Sequence, residues 1–557
     1  MSSIRLTGFN GVIQAAHALT LPDTVGVSSS NARSGFGDLR AWPAPTALAL
    51  AANTVVTGAT SLYRYGRDTA SDLLYWLTFV NDTDVVRGMV GNDSTERTYL
   101  TDGAVCQWID NTFALGSVPY PNSPRTLGVP APATSPTVNP TGGTSTSKES
   151  RVYVWTWVTD KGEESAPSPN NTATALSPID ATWQVTFNEA VPAYNGTISK
   201  RRLYRSATTT SGTATYLFVA EVTNLTSGYT YNDTVAGTAL GSTLATLYWT
   251  PPPTGLRGLK AMWNGMMAGF VGKTVWFCEQ YVPYAWPSKY SLTINETIIG
   301  LAVWQQNLLV LTNGKAYLVT GSSPAALSLQ PVDASFSCAS KRSICEVPGG
   351  VVWAAPEGLV YAGSSGGAII TDLVYTKEQW AALVPSSMVV NVWGTYLLIS
   401  YNNGSRSTLV IDWEGTQPVY PNKMKVKSVY PSSIQFDMAY HDPLTGELYL
   451  LNTASRSISK WNTGSAQSAT FTSKLFRQAQ PTSFAWAHVR SDAYPLTISV
   501  TADGTTVFSG SVGGGRPFRI GGNFKAYDWQ ITVTTASGSA VQEVVLATSL
   551  KELQAIV

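Results

Sequence analysis

The stretch AVWQQNLLVLTNGKAYLV, residues 302–319, contains three apolar runs separated by Gln-Gln-Asn and by Asn313-Gly314. Short apolar runs bounded by turn residues predict strands, and Asn-Gly is a frequent turn dipeptide. We therefore predict that these residues form a unit of strand, tight turn, strand, turn and strand.

Similar units recur on both sides of this stretch, at residues 262–272, 351–361, 392–413 and 438–451. Their spacing of about 40–50 residues is the period of β-propeller blades. Each blade exposes an apolar sheet face that only its neighbours cover, so blades form rings. We predict an all-β protein with a β-propeller body; a set of unrelated hairpins is the alternative.

Upstream of the repeat, residues 61–65 and 73–80 have strand composition, with turn residues at 66–68 and 81–82. Residues 117–147 are dense in Pro, Thr, Gly and Ser, which is typical of a linker. We assign residues 46–147 to the first part of the propeller plus this linker, and residues 246–465 to the remainder.

Residues 148–245 form an insertion between these two parts. The runs 152–159, 199–205 and 216–222 predict strands at a spacing that suits a β-sandwich. The segments Gly162-Glu163-Glu164-Ser165-Ala166-Pro167 and Leu203-Tyr204-Arg205 resemble fibronectin-type-III modules, so we predict an inserted sandwich of that kind.

The two ends of the chain differ from the repeat. Residues 1–45 are irregular, with apolar anchors such as Ile4, Leu6 and Phe9, and predict an extended arm that packs on its own body or on a neighbouring subunit. Residues 466–557 contain alternating runs around Asp503-Gly504, a hairpin signal, and predict a C-terminal β-sandwich or jelly roll.

Charge is sparse. Asp, Glu, Lys and Arg make up 13% of the 557 residues, about half the usual share, and the net charge is +1. Proteins that neutralise phosphates usually show a basic face. The densest basic cluster is Lys200-Arg201-Arg202 with Arg205, for which we favour a solvated strand end over a nucleic-acid contact.

The four cysteines, Cys106, Cys278, Cys338 and Cys345, show neither a disulfide framework nor a CxxC metal motif, which favours reduced and mostly buried thiols. Residues 1–10 lack a signal-peptide pattern, and we find no apolar stretch of about 18 residues. We therefore expect synthesis in a cytosol and no stable membrane insertion.

No motif for catalysis is evident. The histidines His17, His441 and His488 are not spaced as metal ligands, and Gly513-Gly514-Gly515-Arg516 lies between strands as a turn. Paired carboxylates would be needed for polysaccharide hydrolysis, but the acidic candidates are scattered in turns: Asp102, Asp110, Glu357, Asp372 and Asp412. Asp84 and Asp93 lack the spacing of a calcium loop. We predict that the protein is no enzyme, with no catalytic, cofactor or metal site.

Two sets of short motifs, in a fixed order, resemble the nozzle proteins (tail tubular protein B type) of short-tailed bacteriophages. The first set lies within residues 4–42 and the second within residues 284–380, and two closing motifs resemble the C-terminal part of the same group. They include Ile4-Arg5-Leu6-Thr7-Gly8-Phe9-Asn10-Gly11, Pro356-Glu357-Gly358-Leu359-Val360, Glu378-Gln379-Trp380, Ser473-Lys474-Leu475-Phe476 and Ala547-Thr548-Ser549-Leu550.

The resemblance implies a structural virion protein at the distal tip of a short tail. Its copies, expected to be six, would surround a channel for genome ejection, dock to an adaptor or head-to-tail connector protein and carry fibres or spikes at the side. Genomic DNA would pass through transiently and without specificity. Head-to-tail rings bury one patch against a different one, which an extended N-terminal arm would reinforce.

Two other functions stay open at this point. The aromatic surplus, 18 Trp and 26 Tyr, suits a carbohydrate-binding or depolymerising tail protein. A bacterial propeller that serves as an interaction scaffold is the third hypothesis.

Overall fold

A computed structural model describes residues 3–33, 37–50, 55–66, 75–90, 93–208, 214–332, 336–363, 366–413, 417–419, 423–522 and 524–556. The predicted turn residues Arg67 and Asp68 and the predicted strand residues Leu73 and Leu74 lie outside these ranges. Strands dominate, which confirms the all-β class. The helical segments are short: Asn111–Ala114, Lys377–Ala381, Leu550–Ile556, and the 3-10 turns Gly237–Ala239, Trp263–Gly265, Pro324–Ala326, Lys341–Ser343 and Pro385–Ser387.

Seven antiparallel sheets, numbered I to VII here, follow one another in the middle of the chain. Sheets III to VII contain the five repeated units, and sheets I and II lie in the segment upstream of them. Sheet I has strands Ser61–Arg64 and Trp76–Phe79. Sheet II has Asp84–Arg87, Thr98–Thr101, Cys106–Ile109 and Arg125–Thr126; sheet III has Arg257–Ala261, Met267–Val271, Thr274–Phe277 and Ser291–Thr293. Sheet IV has Ile298–Trp304, Asn307–Thr312, Tyr317–Thr320 and Ser328–Pro331; sheet V has Cys345–Val347, Gly350–Ala355, Gly358–Gly363 and Gly366–Ile369.

The last two sheets bring distant segments together. Sheet VI has Val389–Trp393, Tyr396–Asn402, Arg406–Asp412 and Tyr430–Ser432, with the small hairpin Gln417–Val419 and Lys423–Lys425 between the last two. Sheet VII has Met438–His441, Leu448–Asn452, Ser457–Lys460 and, as its outer strand, Thr46–Ala47 from early in the chain. Residues more than 400 positions apart therefore complete one sheet.

Each sheet packs on the next through a shared apolar core, and the series closes on itself. Leu309 of sheet IV lies in one core with Trp353 of sheet V. At the closing seam, Trp76 of sheet I packs with Tyr449 of sheet VII, ring centroids 4.6 Å apart. The seven sheets thus form a closed ring.

The inserted sandwich has two three-stranded sheets around an aromatic core. One contains Thr137–Thr141, Thr182–Phe187 and Tyr229–Asp233; the other contains Tyr153–Thr159, Ile198–Thr208 and Ala214–Val222; Lys148–Glu149 pairs with Ser177–Pro178. The strand Thr137–Thr141 lies within the predicted linker, so the boundary at residue 148 was placed too late. Pro140 inside that strand explains why the segment was assigned to the linker, because proline is rare in β-strands.

Arg201 corrects the prediction of a solvated basic strand end. Its side chain is fully buried, with the guanidinium carbon 4.9 Å from the centre of the Trp157 ring. It donates hydrogen bonds to the carbonyls of Glu189 and Leu225, at 2.9 Å each. Arg205 is also buried and lies 2.8 Å from Asp233. These arginines stabilise the sandwich from inside, because alternate residues of a strand face its core.

The terminal sandwich corrects a second expectation, since the predicted N-terminal arm is part of it. One sheet joins Ala32–Arg33, Leu39–Ala41, Ala540–Ala547, Trp486–Ser491 and Phe518–Arg519, with Ser3–Thr7 beside Ala540–Ala547. The other joins Gly26–Ser30, Thr470–Ser473, Ala526–Thr534, Leu496–Ala502 and Thr505–Val512, with Phe476–Thr482 beside Ala526–Thr534. The described residues of the first 45 therefore pack on their own body, which is one of the two alternatives that the sequence left open, but as strands of a sandwich and not as an extended arm.

The predicted hairpin and glycine turn of the terminal sandwich are confirmed. Asp503 and Gly504, with φ of 44° and 80°, connect Leu496–Ala502 to Thr505–Val512. Gly513 to Arg516 lie in the turn that follows. Two rows of paired hydroxyl residues cross the second sheet: Ser30, Thr470, Thr534, Thr497 and Ser511, and Ser28, Thr472, Thr532, Ser499 and Ser509. In this sheet, hydroxyl side chains therefore provide the polar groups that charged side chains provide in most proteins.

Candidate functional site

The axis of the ring is one of two places that we considered as a functional site. A cavity of about 170 Å³ lies there, lined by residues from five of the sheets and from the turn before sheet V. Its lining includes Asp84, Lys260, Leu301, Asn391 and Met438. A space of this volume holds a few water molecules, so the described residues leave no passage for nucleic acid along this axis.

Two cations from the turn Lys341–Ser343 close this axis. Lys341 Nζ lies 2.7 Å from Asp84 Oδ1 and 3.2 Å from Asp82 Oδ2, and Arg342 forms an ion pair with Asp82. Arg342 also donates to Ser61 Oγ at 2.8 Å. Burial lowers the pKa of Arg342 to about 10, which leaves it charged at neutral pH. These contacts tie sheets I, II and V together across the ring.

The scattered carboxylates are not brought together as a catalytic pair in the described part of the chain. Asp102 accepts backbone N–H groups of Ala104 and Val105, and Asp110 caps the helix Asn111–Ala114. Burial acts to raise the pKa of Asp102, but these hydrogen bonds outweigh it and the pKa is lowered. Asp372 pairs with Lys425, Glu357 is exposed in a turn of sheet V, and Asp412 ends a strand of sheet VI.

Asp93 and Asp84 also have structural roles. Asp93 accepts the backbone N–H groups of Thr95 and Arg97, at 2.9 and 3.1 Å. Asp84 accepts the Gly258 N–H at 2.6 Å in addition to its contact with Lys341. No group of three or more metal-ligating side chains occurs among the described residues, and no described helix is long and apolar enough to span a bilayer.

The histidines are dispersed over three regions. His17 is exposed near the chain start, and His488 lies buried in the terminal sandwich with Nε2 3.1 Å from the Gly515 carbonyl oxygen. Burial lowers the pKa of His441, in sheet VII, while neighbouring Asp442 opposes the shift. Three of the four cysteines are buried and all four are free thiols, which confirms that prediction.

The second candidate site, which sequence reasoning missed, is a cleft of about 340 Å³ where sheets II and III meet the inserted sandwich; we call it the junction cleft. Sheet II supplies Tyr99, and the loop between its strands Asp84–Arg87 and Thr98–Thr101 supplies Asp93 and Arg97. The turn after Tyr153–Thr159 supplies Lys161, Gly162 and Glu163, and the loop after Thr274–Phe277 supplies Tyr281, Pro283 and Tyr284. Clefts between domains are frequent ligand sites.

An ion pair between Arg97 and Glu163 forms part of the junction cleft. The Arg97 guanidinium carbon lies 3.9 Å from the centre of the Trp108 ring, so the guanidinium group is held against this ring. Burial raises the pKa of Glu163, and Arg97 opposes the shift. Glu163 was predicted only as a turn residue, because nothing in its local sequence indicates a partner 66 positions away.

Comparisons with known proteins add little to this geometry. No family model and no curated protein matches the sequence. Among solved structures, the chain is similar to PorZ, an essential bacterial surface component of the type-IX secretion system of Porphyromonas gingivalis, with 9% identity and a TM-score of 0.22. The match covers 73% of this chain and 42% of PorZ, and a TM-score this low carries no argument about fold or function.

Proposed function

We propose that the protein is a structural component of a bacteriophage virion, the distal nozzle of a short tail, and that a ring of its copies forms the conduit for genome ejection. The ordered motif set carries this proposal. Copies, expected to be six, dock to an adaptor or head-to-tail connector protein and carry fibres or spikes at the side.

The positions of the motifs in the fold support the proposal. The first motif contains a strand that lies beside Ala540–Ala547, the strand that leads into the last motif, with Ile4 paired to Leu546. The first segment also reaches the motif that ends at Trp380, since Gln379 Nε2 donates to the Gln14 carbonyl at 3.0 Å. Motifs that are distant in the sequence thus lie close together where the ring contacts the terminal sandwich. We expect this arrangement if the motifs belong to one conserved fold.

The closed axis refines the proposal. Lys341 and Arg342 fill the middle of the ring of sheets, so we propose that the conduit lies between copies. The near-neutral charge of the chain suits a channel wall along which DNA slides. Each cation that contacts a phosphate adds salt-dependent affinity for DNA, and such affinity would hold the DNA in the channel.

Electron microscopy of the purified protein and of virions tests the proposal. We expect closed rings with a central channel and the same density at the tail tip, labelled by an antibody against the chain. A chain that stays monomeric at all concentrations and is missing from purified virions would contradict it. A gene located away from portal and capsid genes would favour the bacterial scaffold instead.

A carbohydrate-binding or depolymerising tail protein is the second candidate, favoured by the exposed aromatic side chain of the junction cleft, Tyr281. Incubation with host capsule or lipopolysaccharide separates the two functions. Shortened polysaccharide chains would support depolymerisation, whereas intact chains together with rings at the tail tip would support the nozzle.

A further inference from the structure

Tyr281 is held in a backbone conformation that side chains rarely adopt. Its φ is 59°, in the left-handed region, which is strained for a bulky residue. Its N–H donates to the Gly265 carbonyl at 2.8 Å. The Tyr281 ring lies directly against Gly265, where an added Cβ would be 2.2 Å from ring atom Cδ1. Two unusual backbone positions therefore fix one tyrosine ring.

This fixed ring is presented to solvent instead of being buried. The Tyr281 side chain is 61% exposed while it lines the junction cleft, and Val90 on the sheet II side is 60% exposed. A tyrosine ring offers apolar area with little conformational freedom to lose on binding. The cleft thus has a rigid aromatic surface at one side.

The polar groups of the junction cleft balance in charge. Arg97 and Lys161 are cationic, and Asp93 and Glu163 are anionic. Arg97 already pairs with Glu163, and the Asp93 carboxylate accepts two backbone N–H groups. A strongly charged ligand would be repelled by as many charged side chains of the cleft as would attract it, so the cleft does not favour such a ligand. A purely apolar ligand would desolvate these ions without replacing their hydrogen bonds.

We propose that the junction cleft binds an uncharged saccharide, with one sugar face stacked on Tyr281 and its hydroxyl groups hydrogen-bonded by Lys161 and the Asp93–Arg97–Glu163 cluster. A sugar ring combines a C–H face with a hydroxylated edge, which matches an aromatic surface beside balanced polar groups. The volume of about 340 Å³ lies at the low end of ligand pockets and suits a short saccharide. The proposal does not rest on ring assembly.

The test uses the full chain on an array of purified bacterial surface glycans, followed by calorimetric titration of the short neutral oligosaccharide that binds best. In Tyr281→Gly, we expect binding to weaken roughly tenfold or more. Glycine adopts positive φ without strain, so this variant keeps or gains thermal stability. Loss of binding is then separate from loss of folding.

Two further variants complete the design. Tyr281→Phe keeps the ring and is expected to bind within about threefold of the parent protein. Tyr527→Ala removes another exposed tyrosine, on the terminal sandwich, and should leave binding unchanged. Absence of binding to every array glycan, or equal binding by Tyr281→Gly, would overturn the proposal. Ring formation by Tyr281→Gly, seen by microscopy, keeps this outcome distinct from that of the nozzle proposal.

Discussion

Arg64 and Asp442 form a buried ion pair across the seam of the ring, with 2.6 Å between Nη1 and Oδ2 and side chains only 5% and 3% exposed. They lie 378 positions apart, one in sheet I and the other just after the first strand of sheet VII. The pair therefore fixes the point at which the ring closes. Asp442 also accepts the Leu444 N–H at 3.0 Å, so it shapes the following turn.

Replacing Asp442 by Asn should destabilise the protein strongly. The change leaves the Arg64 charge buried beside a neutral amide, and removal of one partner of a buried pair costs about 3–5 kcal/mol. Calorimetric unfolding should show a lower midpoint for the transition that includes the ring. Asp23→Asn serves as the control, because its pair with Lys474 is 72% exposed at Asp23 and is worth at most about 1 kcal/mol. Equal effects of the two variants would contradict this prediction.

Replacing Arg201 by Met should destabilise the inserted sandwich. The carbonyls of Glu189, Leu225 and Thr226 lose their donor, and a hydrogen bond to a charged group contributes about 1.5–3 kcal/mol. Faster hydrogen exchange in Ile198–Thr208 would report the effect. Lys200→Met, which removes a partly exposed pair with Glu221, is the matched control and should change exchange little.

Acid should weaken sheet VII through His441. Its folded pKa lies below the ordinary 6.5, so the unfolded chain binds the proton more readily. The stabilisation is complete above pH 6.5 and is lost as the pH falls towards the folded pKa. We expect the unfolding midpoint to decline less between pH 7.5 and 5 in His441→Gln than in the parent. His17→Gln, a change at an exposed position, should follow the parent curve.

The thiols should resist alkylation in the native protein. Burial raises the pKa of Cys106 to about 11 and those of Cys278, Cys338 and Cys345 to about 12, so little thiolate is present at pH 8. Thiolate is the reactive form. We expect slow reaction with a maleimide in buffer and four rapid labels in guanidinium. Rapid native labelling of any one thiol would show that its environment is more open than described.

Local patterns were sufficient to predict several strands of the ring, although not the fourth strand that most of its sheets contain. In residues 350–363, two apolar runs flank Pro356-Glu357, and the structure has Gly350–Ala355 and Gly358–Gly363 there. The Asp503-Gly504 turn was equally clear, because both residues must adopt positive φ in a tight hairpin. Such features depend on neighbours within a few residues, which a sequence displays directly.

Long-range relationships were not visible in the same way. The cluster Lys200-Arg201-Arg202 has a composition typical of a protein surface. Strand alternation nevertheless turns the Arg201 side chain into the core of the sandwich, where it packs against tryptophans that are distant in the sequence. Tyr281 gave no signal, since its exposure depends on Gly265 and on the inserted sandwich. The pairing of Ser3–Thr7 with Ala540–Ala547 likewise follows from tertiary packing of apolar faces.

The weaving of the first strands into the last ones has a consequence for biosynthesis. On the ribosome, Ser3–Thr7 and Thr46–Ala47 emerge long before their partners at Ala540–Ala547 and Ser457–Lys460. The earliest strands therefore remain unpaired during nearly the whole of translation. Pairing between strands that are distant in the sequence also slows folding. Chaperone demand and aggregation during expression should therefore concentrate on incomplete chains.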